Sequence, residues 1–209
     1  MVATQPTVSL NQTLNGTHML LLVDLSIPQS TINTTGAQAP GLEPCRTTRL
    51  HWFQQNLTQT SNGTFTSTSA PIAAYGGPMP PLNDVPHTYT FYLFPQPANF
   101  SLPAWDAGRV YNPISVYARM NFSVQAIAAG VGQPLAGNYI RVQNPNNTAT
   151  GTASNGTCPS SLSSNGTNGT NGTTVASPPA ATYTGAATAV ERGVGMVIAL
   201  GVVAAVMSL

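Results

Sequence analysis

The sequence predicts a mainly β fold: an antiparallel β-sandwich with Greek-key connections and one short helix, followed by a segment with no packed structure. Three observations carry this. Short apolar or alternating runs, set apart by Gly, Pro, Asn and Ser, recur between about Pro6 and Asn144. A single stretch, Ser123 to Ala129, carries helix-capping residues. From position 146 onward the large apolar side chains give out until the last turn of sequence.

Taken in order, Thr7-Val8-Ser9-Leu10 reads as a strand and His18 to Leu25 as a second. Asn15-Gly16 lies between them, and both residues tolerate positive φ, so a hairpin is expected there. Arg49 to Gln55 is a third strand. Thr88 to Phe94 alternates and then turns wholly apolar, as a central strand does. The helix follows, with Ser123 as its cap and Gly130 and Gly132 to end it. Asn138 to Val142 closes the set. Turns this irregular suit a sandwich better than alternating βα units.

The charge balance excludes one class of partner. Six Arg, no Lys and five acidic residues give a net charge of +1, which is no electrostatic footprint for nucleic acid. So few charges would threaten solubility, and glycans would restore hydration. Asn-x-Ser/Thr acceptors occur at Asn11, Asn15, Asn33, Asn56, Asn62, Asn99, Asn121, Asn146, Asn155, Asn165, Asn168 and Asn171. Their density points to a glycoprotein of the secretory route; the bland alternative is a Thr/Asn-rich chain with accidental matches. A disulfide between Cys45 and Cys158 would close a long loop and pin the tail to the domain; two unpaired thiols is the other reading. Neither a Gly-x-Ser-x-Gly elbow nor a phosphate-cradling Walker loop is present, so no enzyme and no cofactor are expected.

Three regions result: a folded domain over 1–145, a stalk over 146–187 and a tail over 188–209. The stalk is Asn, Gly, Thr, Ser, Ala and Pro, too poor in apolar side chains to offset its ordering entropy. In the tail, Gly185-Ala186-Ala187 precedes a spacer, Thr188 to Gly195, and an apolar run from Met196. That order matches a glycosylphosphatidylinositol attachment signal, with Gly185 as the lipidated residue. A retained tail anchor and a buried helix compete with it. Met1 to Pro6 has neither a basic start nor an apolar run, so a secretory route implies sequence upstream of this start. A strand supplied from upstream would leave an open sheet edge in the chain as given.

The residues with chemistry lie in three segments: Leu20 to Pro28, with Asp24 at the end of an apolar run; Leu50-His51-Trp52; and Tyr75-Gly76-Gly77-Pro78-Met79-Pro80-Pro81 leading to Pro86-His87-Thr88-Tyr89. In order and spacing they resemble the phosphatidylethanolamine-binding protein family, especially its secreted fungal members. That family has an Asp-Pro-Asp-x-Pro turn, a His-Trp strand and a Gly-x-His-Arg strand around one anion pocket. Gln133 to Tyr139 is similar to its closing strand. The resemblance implies that Asp24, His51, His87 and Tyr89 line the pocket and that Pro80 and Pro81 wall it. Asp24 would orient an imidazole. Read alone, Asp24 is a turn cap and each histidine an interior side chain; the set could also hold a metal of facial-triad type, the reading not adopted.

Two positions depart from the family: Ser26 stands for its second Asp and Thr88 for its Arg. With the fixed cation gone, anion binding is expected to be weak and to rise as pH falls through the histidine range. The implied function is an extracellular, membrane-anchored binding module for a small anion or phospholipid head group. A serine protease or carboxypeptidase inhibitor, acting on a secreted protease, and a structural cell-surface glycoprotein with a vestigial pocket are the alternatives.

Overall fold

The structure is a computed structural model and describes residues 4–28, 46–104, 106, 108–113 and 117–147, with the backbone of 197–199 and 201–202. Cys45, Cys158, Gly185, Asn33, Asn155, Asn165, Asn168 and Asn171 lie outside the described residues, as does nearly all of the expected stalk and tail.

The fold is mainly β, as the sequence predicts. The strands are β1 (Thr7–Ser9), β2 (His18–Pro28), β3 (Arg46–Gln59), β4 (Phe65–Thr66), β5 (His87–Pro95), β6 (Ala136–Val142), β7 (Val197–Ala199) and β8 (Gly201–Val202). Six form an antiparallel sheet in the order β4-β3-β2-β5-β6-β8, and β1 pairs with β7 in parallel. β7 and β8 thus lie along the edges of β1 and β6.

Period-2 alternation explains the core. On β2, Leu20 and Leu22 face one side with Trp52, Phe91 and Leu93, against Val8, Leu10 and Phe65. Met19, Leu21 and Val23 face the other, against Tyr111, Phe122 and Ile127. Because β2 and β5 are buried on both faces, they read as near-continuous apolar runs.

The helix is α1 (Val124–Val131), whose Ser123 Oγ accepts from the Ala126 amide at 3.1 Å. Gly132, at φ 94°, ends it; Gly130 is inside. The Asn15-Gly16 hairpin does not form, because β2 already has β3 and β5 on its two sides. The chain before it is held instead by Gln59, whose Nε2 donates to Leu10 O (2.9 Å) and Gln12 O (3.0 Å) and whose Oε1 accepts from Leu14 N (2.7 Å). At Gly63 (φ 84°) a Cβ would meet Leu10 O at 2.6 Å, so glycine is required there.

Candidate functional site

Two irregularities in the β2–β3 ladder shape the site. Leu22 pairs with Trp52 and Val23 with Leu50, so His51 is the extra residue of a bulge. The second lies between the pairs Asp24–Arg49 and Ile27–Thr47, at Leu25 and Ser26. Asp24 also faces Tyr89 across β2–β5, and His87 opens β5 two residues earlier. The sheet therefore brings Asp24, His51, His87 and Tyr89 to one end.

His87 is fully buried, with a carboxylate on each ring nitrogen: Nδ1 to Asp24 Oδ2 at 2.7 Å and Nε2 to Asp84 Oδ2 at 2.9 Å. Carboxylates only accept, so both nitrogens carry protons and the ring is an imidazolium. Burial opposes that charge, but hydrogen bonding and attraction from Asp24, then Asp84, outweigh it and raise the pKa. Asp24 has two roles at once, since its Oδ1 also accepts the Ser26 amide at 2.8 Å.

His51 is in the opposite state. Its Nδ1 lies 2.8 Å from Gly76 O, so Nδ1 is the donor and Nε2 an acceptor in the neutral ring. Burial lowers its pKa to about 4, helped by Arg49 and Arg119 against the pull of Gly76 and Asp24. Its Nε2 is buried without a hydrogen-bond partner among the described residues. Tyr89 stands between the histidines, its ring centroid 5.1 Å from that of His51 and 6.3 Å from that of His87. Burial and the hydrogen-bonded Asp24 raise the Tyr89 pKa.

Of the two expected wall prolines, Pro80 is buried and Pro81 exposed. Their carbonyls accept from Asn144 Nδ2 (3.1 Å) and from Asp84 N (3.4 Å).

Three site residues escape the sequence reading. Asp84 Oδ2 accepts from Arg46 NH1 at 2.9 Å as well as from His87. The same Arg46 nitrogen donates to Ser26 O at 2.9 Å, while Arg46 Nε and NH2 are buried with no partner among the described residues. Burial raises the Asp84 pKa, but the bonds from Arg46 and His87 overcome this and lower it. Arg119 is wholly buried and donates to the carbonyls of His51 (3.2 Å) and Ala74 (2.9 Å) and to Asn112 Oδ1 (3.1 Å), tying the bulge to the loops behind it. An Asp three residues before a candidate histidine, in a chain with five acids, was the available signal.

The expectation of a missing fixed cation is corrected. Ser26 and Thr88 meet through a neutral bond, Thr88 N to Ser26 Oγ at 2.9 Å. The Arg46–Asp84 pair brings a cation and an anion to the cluster by another route. Burial lowers the His51 pKa to about 4 and the two carboxylates raise that of His87, so the two rings depart from the ordinary histidine value in opposite directions.

The mainly antiparallel sheet thus carries a buried polar cluster at one end, and the family the chain matches supports a binding module in general. The chain belongs to the phosphatidylethanolamine-binding protein family, whose match spans residues 2–141. Among curated proteins it is similar to two described as "Phomoidride biosynthesis cluster protein N". The one from a fungal species is 35% identical over 98 residues, covering 44% of this chain and 43% of that protein. The one from Talaromyces stipitatus is 35% identical over 97 residues, covering 44% and 48%. The matched part is thus less than half the length of these relatives.

Proposed function

We propose that the protein is an extracellular, membrane-anchored binding module taking a small anion or phospholipid head group beside His51 and Arg46. One observation carries the reading. Arg46 Nε and NH2 and His51 Nε2 are buried and unsatisfied among the described residues, next to Asp24, Asp84 and His87, which are hydrogen-bonded. Such atoms call for a ligand or ordered water. Arg46 offers donors, and neutral His51 offers an acceptor. A group with anionic oxygens and one N–H or O–H donor matches both, as hydrogen phosphate or a phosphoethanolamine head group does.

The extracellular part of the reading rests on the acceptor asparagines. Asn11, Asn15, Asn56, Asn62, Asn99, Asn121 and Asn146 are all exposed. Lipid attachment at Gly185 would remove β7 and β8 and leave β4-β3-β2-β5-β6 in place.

The test is a titration of the folded protein with inorganic phosphate and with glycerophosphoethanolamine, followed by the NMR signals of His51 and Arg46. Both residues should shift, and His51→Ala should weaken binding about tenfold or more, as losing one hydrogen bond to a charged group does. If neither signal moves with either ligand, the coat-glycoprotein alternative takes its place. Inhibition of a secreted carboxypeptidase without any shift would favour the inhibitor alternative.

A further inference from the structure

Two cations of the site, His87 and Arg46, are fixed by the sheet, whereas the anion between them is not. His87 opens β5 and Arg46 opens β3, each in register with a neighbouring strand. Asp84 sits in the loop before β5, outside any strand. Its Oδ2 bridges His87 Nε2 and Arg46 NH1 at 2.9 Å each, as one oxygen of a bound phosphate would. Its Oδ1 is turned back to the Val85 amide at 2.8 Å. The loop is strapped by side chains that follow β6: Asn147 Nδ2 donates to Asp84 O at 2.6 Å, and Asn147 Oδ1 accepts the Asn83 amide. Around it Met79 and Leu82 are each 51% exposed.

We propose that the Asp84 carboxylate is a resident anion of this pocket, holding the seat between His87 and Arg46 that an external anion must take from it. The inference rests on the reading above that Arg46 receives an anion, and adds His87 as that anion's second partner. Arg46, His87 and Arg49, which faces Asp24 across the ladder, against Asp24 and Asp84 sum to +1; without Asp84 the sum is +2, and the His87 Nε2 proton loses its acceptor. A carboxylate places a single oxygen on Arg46, leaving Nε and NH2 unmet, whereas a phosphate has oxygens enough for both edges of the guanidinium. Ligand binding is then an exchange of anions, and the 81–86 loop has to lift for it. Leu82 already stands in solvent, whereas Val85 and Asp84 are buried, so the lift has to uncover Val85 and break the Asn147 strap.

The experiment is a titration of wild type, Asp84→Ala and Asp84→Asn with inorganic phosphate at pH 7, read by calorimetry and by the His87 ring signals. Both variants lack the anion, and the Asn variant keeps its shape, so it serves if the Ala variant fails to fold. At least tenfold tighter phosphate binding by a folded variant, with His87 shifting, is the expected result. If wild type binds as tightly as the variants and His51 shifts, the anion seat stands and Asp84 is not its occupant, which overturns the inference alone. If neither wild type nor a folded variant binds phosphate, the inference and the anion-seat reading fall together.

Discussion

His51 and His87 show how position decides the chemistry of one residue type. Both are buried at the same end of the sheet, yet burial keeps one neutral, its Nδ1 donating to a backbone carbonyl, and two carboxylates keep the other charged. The pH consequences have opposite signs. His51 has a folded pKa below its unfolded value of 6.5, so its contribution to stability is full above that pH. It is lost as pH falls from about 6.5 toward about 4, and is worth about 3 kcal/mol from the size of the shift. His87 has a raised folded pKa, so its contribution is full below 6.5 and is lost as pH rises through that raised value. We expect the stability gap between wild type and His51→Gln, measured by urea unfolding, to shrink as pH drops from 6.5 to 4. A gap independent of pH would contradict the neutral assignment. His87→Ala leaves Asp24 and Asp84 facing each other without their shared cation, so it should cost about 3–5 kcal/mol, and a loss under 1 kcal/mol by the same method would refute the pairing.

At the scale of elements, the strands were legible because their patterning agrees with their burial. Thr88 to Phe94 turns from alternating to continuous where β5 enters the middle of the sheet. Ser123 and Gly132 announce the helix ends through local chemistry alone. The Asn15-Gly16 hairpin was misread because a turn signal states only that the chain can reverse, not which strand it meets next. The bulge that presents His51 was not legible either, since it depends on register between β2 and β3. Arg119 supports that bulge by donating to the carbonyls of Leu50 and His51 from a wholly buried position. Arg119→Leu should therefore destabilise by at least about 3 kcal/mol in urea melts, with several buried carbonyls left unmet; a neutral effect would show that the clamp is idle. Gly63→Ala should cost about 1–3 kcal/mol, because it adds positive-φ strain to the contact with Leu10 O.

At the scale of the whole molecule, the scarcity of charge acquires a pattern. Two of the five acids, Asp24 and Asp84, meet Arg46 and His87 in one buried cluster, and the described surface carries acceptor asparagines instead. Asp24 and the histidines could be picked out because the family resemblance marks them. Arg46 and Asp84 could not, since 37 intervening residues separate them and their meeting is a product of folding. On expression in a secretory host, peptide N-glycosidase treatment, which hydrolyses the side-chain amide, should raise mobility, with Asn-to-Asp conversion at Asn11, Asn15, Asn99 and Asn146; no conversion at any of them would contradict the extracellular reading. Asn56 should be the poorest acceptor, because its Nδ2 is already given to Ser69 Oγ at 3.0 Å. The account as a whole depends on two buried rings in opposite charge states around Asp24. The most direct test is an NMR pH titration of the histidine side chains. His87 should titrate above 6.5 and His51 near 4; two midpoints close to 6.5, as for solvent-exposed rings, would contradict it.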